Sequence, residues 1–223
     1  MSKIQIGIDF GSASLFNASS SSEVINGIKS ASASISRKEI LSKLVKSSFN
    51  VSLVLTQGDK RSARNKPEEP SEVAKFAESE SLPCIKIDSF CDETVNKINK
   101  YPCDILVLSS FGKIIPQEIL QYPSITPLNI HFSILPLYRG ASPIQSALLN
   151  GDNKTGISFM EMVESRDEGP VFDVFEVEIS YSDNRISLEK KLVAKAVNSI
   201  VDVLHRVSNG LQPVAQADDG VSY

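Results

Sequence analysis

Two polar residues, Asn129 and His131, stand at the end of a short apolar segment, and their spacing suits acyl-transfer chemistry. Side chains at positions i and i+2 of a strand lie on the same face. An amide donor there can stabilise an oxyanion, and an imidazole can hold or move a proton. The chain has only two histidines, so one placed at a strand end is a natural candidate for catalysis.

A lone histidine at a strand end is also often a structural residue, so the catalytic interpretation needs a third group. An acidic loop, ESRDEG, provides three carboxylates at Glu164, Asp167 and Glu168. A carboxylate beside an imidazole fixes the tautomer of the ring and favours its charged form. The residues alone leave the choice among these three carboxylates open.

The elements that must position these side chains alternate between strand-like and helix-like patterns. Apolar segments typical of strands occupy residues 4–10, 51–56, 84–87, 104–109 and 128–131. Helical spacing is found over residues 38–49, 73–79, 89 or 92 to 100, 143–149 and 187–207. Alternating polarity at residues 156–162 and 171–178 indicates an antiparallel pair. We therefore predict an α/β fold with a doubly wound, mostly parallel sheet and an antiparallel extension.

Ligands of doubly wound sheets bind at the carboxyl ends of the strands. Four loops are therefore candidates, and we expect each to leave such an end: those beginning at Gly11, Ser110, Phe132 and Glu164. No G-x-G-x-x-G pattern follows the first strand and no P-loop is present, so neither NAD nor another dinucleotide is expected.

Composition and charge limit the remaining classes of function. The three cysteines lack C-x-x-C spacing, which argues against a disulfide framework and a zinc site. No apolar run approaches the length of a membrane span. The formal net charge of -4 means that any RNA contact would be local. The basic loop at 60–66 is either a solvated turn or an arm that contacts phosphates.

The segment from Asn129 to Gly140, NIHFSILPLYRG, resembles the formyltransferase signature N-x-H-x-S-L-L-P-x-x-R-G. The residues that follow narrow the resemblance to one group within this family. They are Ser142-Pro143-Ile144-Gln145, Gly151-Asp152, Thr155-Gly156-Ile157, Met160 and Met162. They are similar to the corresponding run of the methionyl-tRNA formyltransferases. The resemblance extends from about residue 4 to about residue 220 and is most specific between residues 105 and 172.

The resemblance implies a role for each matching position. Asn129 would bind the formyl oxygen, His131 would stabilise the intermediate and move a proton, and Asp167 would orient His131 and help to deprotonate the amine. The formyl donor would be 10-formyltetrahydrofolate, the acceptor would be initiator methionyl-tRNA, and no metal is expected. The folate-binding positions would be Phe111, Gly112, Ile114, Ile115, Pro116, Ser133, Leu135 and Pro136. The tRNA contacts would be Lys60, Arg61, Arg64 and Arg139.

Several features depart from the family pattern. Phe132 stands where the family often has glycine, and the Ser-rich segment 17–36 has no clear counterpart, so we interpret it as an insertion or loop. We expect a catalytic domain over residues 1–210 and a linker or tail over 211–223, with the family's C-terminal tRNA-binding domain absent. The sequence from Asp167 to Pro170 resembles the mitochondrial branch. We therefore expect a monomer in the mitochondrial matrix, not attached to a membrane, although no targeting segment is visible.

Two other functions remain open from the sequence. A sugar-nucleotide N-formyltransferase would share the L-P-x-Y-R-G turn, although the run after Gly140 and the basic loop argue against it. A folate-binding protein without catalytic activity is the second alternative, and the complete set of Asn, His and Asp argues against that.

Overall fold

A computed structural model of the chain describes residues 5–10, 37–61, 68–109 and 115–223. For residues 5–10, 60, 61 and 68 it describes the backbone alone. The loop predicted at Gly11, the Ser-rich segment 17–36 and the start of the loop predicted at Ser110 (residues 110–114) lie outside the described residues. So do four predicted ligand contacts, at Arg64, Phe111, Gly112 and Ile114.

Strands and helices alternate along the chain as predicted. The strands are β1 (Gln5–Phe10), β2 (Asn50–Gln57), β3 (Lys60–Arg61), β4 (Glu68–Glu69), β5 (Cys84–Ile87), β6 (Ile105–Ser109), β7 (Thr126–His131), β8 (Lys154–Glu161) and β9 (Val171–Glu178). The helices are α1 (37–45), α2 (Glu72–Ser79), α3 (Asp92–Ile98), α4 (Gln117–Leu120), α5 (Pro143–Leu149) and α6 (Arg185–Ser208).

Seven of the strands form one sheet, in the order β5-β2-β1-β6-β7-β8-β9. The first five in that order are parallel, and β8 and β9 are each antiparallel to the preceding strand. The chain winds outward from β1 toward β5 in one direction and through β6 toward β7 in the other. This is a doubly wound sheet with an antiparallel extension, so the predicted fold class is confirmed.

Apolar side chains pack on both faces of the sheet. Leu128 and Ile130 of β7 join the larger cluster, which also contains Leu41 of α1 and Leu192 and Ile200 of α6. The other cluster packs Leu106 and Leu108 of β6 against α3 and α4, through Val95, Ile98 and Ile119. Successive residues of a strand point to opposite faces, so Asn129 and His131 lie on the face away from α6.

The structure changes several predicted boundaries. Helix α1 ends at residue 45, not at Phe49. Of the two predicted starts of α3 the structure has Asp92, and the helix ends at Ile98, not at Lys100. The predicted loop 57–70 contains the short antiparallel pair of β3 and β4. The N-cap prediction is confirmed at Ser71, whose Oγ accepts a hydrogen bond from the Ala74 backbone N–H at 3.1 Å.

The linker or tail predicted over 211–223 contains neither a helix nor a strand. Val214 forms an isolated antiparallel bridge with Val171, with N–H···O distances of 2.7 and 2.9 Å in the two directions. This bridge adds the C-terminal segment to the outer edge of β9. Whether 211–223 is a linker or tail of a longer protein stays a prediction.

Three absences concern the described residues alone. None of their helices combines the length and apolarity that crossing a bilayer requires. No group of three or more metal-binding side chains comes together among them. Cys84, Cys91 and Cys103 form no disulfide with one another.

Candidate active site

Strand β7 delivers Asn129 and His131 to its carboxyl end. His131 is the last residue of the strand and is only 5% exposed. Asn129 is partly exposed, and its side-chain amide has no hydrogen-bond partner among the described residues. The amide is therefore free to bind a group from outside the protein.

Both ring nitrogens of His131 face protein groups. Nε2 lies 2.8 Å from the backbone carbonyl oxygen of Tyr138. Because a carbonyl oxygen can only accept, Nε2 carries the hydrogen of this bond. Nδ1 faces Oδ1 of Asp167 at 3.7 Å, which is longer than an ordinary N–H···O hydrogen bond. The two atoms thus face each other without forming a hydrogen bond, as is common for catalytic groups without a bound substrate.

Asp167 is held in place from its other carboxylate oxygen. Oδ2 accepts a hydrogen bond from the Gly140 backbone N–H at 2.8 Å, which leaves Oδ1 directed at His131. The backbone of Asp167 has a φ of +54°, which places it in the left-handed region. Non-glycine residues adopt this region mainly when their surroundings impose it, often at functional sites.

The structure also resolves the choice among the three carboxylates. Only Asp167 reaches His131, whereas Glu168 lies 3.6 Å from the Arg139 guanidinium and accepts from the Tyr223 hydroxyl at 3.2 Å. Glu164 is exposed to solvent. The predicted grouping of Asn129, His131 and Asp167 therefore matches the geometry, while their catalytic roles stay predictions.

One expectation about this loop was wrong. The loop beginning at Glu164 was expected to leave the carboxyl edge of the parallel strands. Strand β8 instead runs antiparallel to β7, and it ends at Glu161 beside Leu128, three residues before His131. The loop therefore starts toward the opposite edge and must return along the sheet face to bring Asp167 to His131.

The turn after β7 is anchored by side chains on several sides. The Ser133 hydroxyl donates to the Leu137 carbonyl oxygen at 2.5 Å. The Tyr138 hydroxyl donates to Asp152 at 2.6 Å and accepts from Asn150 at 2.8 Å. Burial and this carboxylate raise the pKa of Tyr138, so its hydroxyl remains a donor at neutral pH. These bonds fix the carbonyl of Tyr138 on which Nε2 of His131 depends.

The predicted folate-binding residues that the structure describes fall into two groups. Ile115, Ser133 and Leu135 are buried, so they can shape a pocket wall but expose little surface. Pro116 and Pro136 are partly exposed. Ile115 and Pro116 follow β6 in the chain, and the other three follow β7; these two strands are adjacent and parallel, with Ser109 beside Ile130. Asn129 lies near the carboxyl end of β7, so its amide and these residues share one edge of the sheet.

The predicted tRNA contacts are not brought together. Lys60 and Arg61 form β3, which follows the carboxyl end of β2, three strands away from β7. At about 4.8 Å per strand this is a lateral offset of about 14 Å. The Arg139 side chain is only 11% exposed, and its Nε and Nη2 donate to Oε1 of Gln216 at 3.1 and 2.9 Å. Arg139 is thus occupied inside the protein.

The C-terminal segment supplies site contacts that the sequence did not indicate. Nε2 of Gln216 donates to the backbone carbonyl oxygens of Asp167 and Gly169, each at 2.8 Å. Oγ of Ser222 accepts from the Tyr138 backbone N–H at 2.8 Å, and the Ser222 carbonyl oxygen accepts from the Arg139 N–H at 2.8 Å. No periodicity or motif in this polar segment pointed to these contacts, because they depend on its path in three dimensions.

Comparisons with known proteins identify the family of the chain. The family model described as formyl transferase matches residues 28–204. The chain is 38% identical over 173 residues to a methionyl-tRNA formyltransferase of Thermotoga neapolitana, covering 77% of this chain and 55% of the relative. It is 37% identical over 174 residues to the methionyl-tRNA formyltransferase of Thermus thermophilus, covering 78% and 56%. The chain thus spans just over half the length of the curated relatives it matches.

Solved structures support the same fold at lower sequence identity. The phosphoribosylglycinamide formyltransferase of Anaplasma phagocytophilum superposes with a TM-score of 0.71 at 17% identity, covering 99% of this chain and 93% of that one. The sugar 3N-formyl transferase WlaRD gives a TM-score of 0.69 at 16% identity, covering 100% and 70%. The fold, the strand-end site and the matched family model lead to one conclusion: this chain belongs to the formyl transferase family.

Proposed function

We propose that this chain transfers a formyl group from 10-formyltetrahydrofolate to the α-amino group of initiator methionyl-tRNA. The observation that carries the proposal is the placement of the His131–Asp167 pair beside the free amide of Asn129 at the end of β7. Relatives named methionyl-tRNA formyltransferase, at 37–38% identity, favour the tRNA-bound amine as acceptor. The structures of sugar and glycinamide ribonucleotide enzymes share the fold at much lower identity.

Asn129 would stabilise the charge that develops on the formyl oxygen. Its amide can donate two hydrogen bonds, and neither is used by the described residues. A donor fixed at the end of a buried strand needs little reorganisation as charge builds up. Loss of one such donor typically lowers kcat by a factor of about 100 to 1000.

His131 and Asp167 would manage the proton of the attacking amine. Nε2 of His131 is committed to the Tyr138 carbonyl, so Nδ1, which faces Asp167, is the ring nitrogen left to exchange a proton. Oδ2 of Asp167 is bound by the Gly140 N–H, so Oδ1 is the oxygen available to accept a proton. The proton leaving the amine would therefore be accepted by Nδ1 or Oδ1 and shared between these two atoms.

The folate would supply the formyl carbon and a nitrogen leaving group. As the amine nitrogen bonds to that carbon, the carbon–nitrogen bond to the folate breaks and the folate nitrogen gains a proton. A general acid–base pair at this position contributes about 100- to 10,000-fold to such a reaction. The near-burial of both side chains, 6% and 12% exposed, would strengthen their electrostatic effect by excluding water.

The short β3–β4 hairpin is the part of the described surface that we propose for tRNA contact. Its basic residues Lys60 and Arg61 follow the carboxyl end of β2, on the edge of the sheet that carries His131. Lysine and arginine side chains bind phosphates, and such contacts weaken as salt increases. Arg139, by contrast, would first have to leave Gln216 to reach the tRNA.

An acceptor competition assay tests the proposed function. The chain is incubated with 10-formyltetrahydrofolate and equal concentrations of methionyl-tRNA, glycinamide ribonucleotide and an amino-sugar nucleotide, and the products are identified by mass spectrometry. We expect formylmethionyl-tRNA as the main product. Formylation of the sugar amine alone would instead favour the sugar-nucleotide enzyme. Folate binding without turnover of any amine would indicate a non-catalytic protein.

A matched pair of histidine variants connects this assay to the site. His131→Ala should abolish most of the activity, whereas His205→Ala, at an exposed position on α6, should leave it unchanged. Equal activity in both variants would separate the reaction from the strand-end site.

We propose a monomer in the mitochondrial matrix, and this rests on sequence alone. The support is the Asp167-Glu168-Gly169-Pro170 sequence, while the relatives compared above are bacterial. Subcellular fractionation tests the compartment, and sedimentation equilibrium tests the oligomeric state. Recovery of the protein outside the mitochondrial fraction would contradict the proposed compartment, and the mass of a dimer would contradict the proposed monomer.

A further inference from the structure

We infer that Gln216 is a positioning residue for the His131–Asp167 pair and that it affects catalysis through Asp167. The kinetic part of this inference rests on the proposed function, whereas the spectroscopic part does not. The observation behind it is that one side chain from the C-terminal segment links the two loops that meet at His131.

The Gln216 amide is fully used in this link. Nε2 donates to the carbonyl oxygens of Asp167 and Gly169, both at 2.8 Å. Oε1 accepts from Nε and Nη2 of Arg139 at 3.1 and 2.9 Å. A side-chain amide has two donor hydrogens and an oxygen with two lone pairs, so all of its hydrogen-bonding capacity is satisfied here.

These partners are the residues that determine where the Asp167 carboxylate lies. Gln216 holds the backbone of Asp167 itself, in its left-handed conformation with a φ of +54°. It also holds Arg139, the residue before Gly140, whose N–H binds the carboxylate. Gln216 therefore fixes both the chain that carries the carboxylate and the chain that aims it.

The C-terminal segment is tied down on both sides of Gln216, which gives the link a rigid base. Val214 pairs with Val171 in a bridge, and Ser222 bonds to the backbone of Tyr138 and Arg139. Because the 3.7 Å gap between Nδ1 and Oδ1 must close for proton transfer, a small loop displacement would have a large effect. A misplacement of about 1 Å can lower a rate by about 100-fold.

Two substitutions separate the hydrogen bonds that Gln216 donates to the Asp167 and Gly169 carbonyls from those that it accepts from Arg139. Gln216→Ala removes both sets of bonds. Gln216→Glu keeps an acceptor for Arg139 but loses both donors to the Asp167 and Gly169 carbonyls. We expect each variant to lower kcat by at least about 10-fold with KM for methionyl-tRNA unchanged. Wild-type kcat in Gln216→Glu would show that only the Arg139 half matters and would overturn the inference.

Gln212 provides the matched control. It lies on the same segment, and its Nε2 donates to the Gly210 carbonyl at 3.2 Å, which involves neither site loop. Gln212→Ala should retain wild-type kcat. A double-variant cycle then tests whether Gln216 acts through Asp167: in an Asp167→Ala background, Gln216→Ala should have no further effect. If the losses of kcat in the two single variants multiply in the double variant, Gln216 does not act through Asp167.

A spectroscopic measurement tests the inference even if no amine is formylated. The chain has two histidines, so ¹⁵N-labelled imidazole gives one set of signals from His131 and one from His205. Gln216→Ala should move the ring-nitrogen signals of His131 and leave those of His205 in place, while Gln212→Ala should move neither set. Unchanged His131 signals in folded Gln216→Ala would overturn the inference. Absence of formyl transfer by the wild type would overturn only the proposed function.

Discussion

Nδ1 of His131 and Oδ1 of Asp167 lie 3.7 Å apart although they come from opposite directions along the sheet. His131 ends a parallel strand, and Asp167 lies in a loop that follows an antiparallel one. Their meeting depends on backbone contacts, from the Gly140 N–H to the carboxylate and from the Tyr138 carbonyl to the imidazole. The turn after β7 therefore binds both members of the pair.

The Tyr138 hydroxyl should contribute to the stability of this turn. Tyr138→Phe removes a bond to the Asp152 carboxylate and one from Asn150, without changing the shape of the ring. We expect the free energy of unfolding to fall by about 1–3 kcal/mol, measured by urea denaturation. Tyr181→Phe, at a fully exposed ring, should change it very little. Equal stability of Tyr138→Phe and the wild type would mean that these bonds contribute no net stabilisation.

Gly169 should be intolerant of any side chain, for a reason unrelated to its dihedral angles. A Cβ at this position would overlap the backbone carbonyl oxygen of Glu161, which cannot move without disturbing β8. Gly169→Ala should therefore destabilise the fold by about 1–3 kcal/mol or more and displace the Asp167 loop.

Gly151 is the comparison for this prediction, because it has a φ of +71° and open space around its Cβ position. Gly151→Ala is expected to cost about 1 kcal/mol from backbone strain alone and to leave formyl transfer intact. The ratio of activities is the sharper readout: similar activity in the two variants would show that the Asp167 loop does not depend on close packing at Gly169.

The stability of the chain should depend on pH through Asp183, near the start of α6. Its carboxylate accepts hydrogen bonds from Lys191 at 2.5 Å, from the Ser180 N–H at 2.8 Å and from Ser187 at 2.8 Å. These partners, Lys191 above all, lower the pKa of Asp183 to about 2. The ionised group therefore stabilises the fold above the pKa of the unfolded chain, about 3.9, and this contribution is lost as the pH falls through 2.

Asp183→Asn tests this sign. The variant should be less stable than the wild type at pH 7, and the difference should narrow between about pH 4 and pH 2. Thermal unfolding followed by circular dichroism across this range measures it. Asp218→Asn, at an exposed carboxylate, should follow the wild type at every pH. A difference that stays constant to pH 2 would contradict the role of the Asp183 charge.

Strands and helices whose apolar residues follow a regular pattern could be predicted from the sequence. Buried strands such as Ile105–Ser109 are apolar throughout, and α6 repeats Leu188, Leu192 and Ile200 at helical spacing. The predicted ends of helices were less accurate where no capping residue or break in the apolar pattern marks the end, as at residue 45 of α1. The hairpin of β3 and β4 is only two residues per strand, too short for a periodic pattern.

The candidate site was predictable only in part. Asn129 and His131 could be paired because they lie two residues apart on one strand. Asp167 could not be separated from Glu164 and Glu168 without the family signature, since the choice depends on a loop that folds back along the sheet. Gln216 and the occupied guanidinium of Arg139 depend on the path of the C-terminal segment, which no local pattern encodes.

The most direct test of the central claim is the rate of formylmethionyl-tRNA formation from 10-formyltetrahydrofolate by the wild type and by Asp167→Ala. A wild type that forms the product and a variant with kcat lowered by about 100- to 10,000-fold, still folded by circular dichroism, would support it. Asp218→Ala provides the control and should react at the wild-type rate. Full activity in Asp167→Ala would contradict the account, because the His131–Asp167 pair would then not be the group that manages the proton.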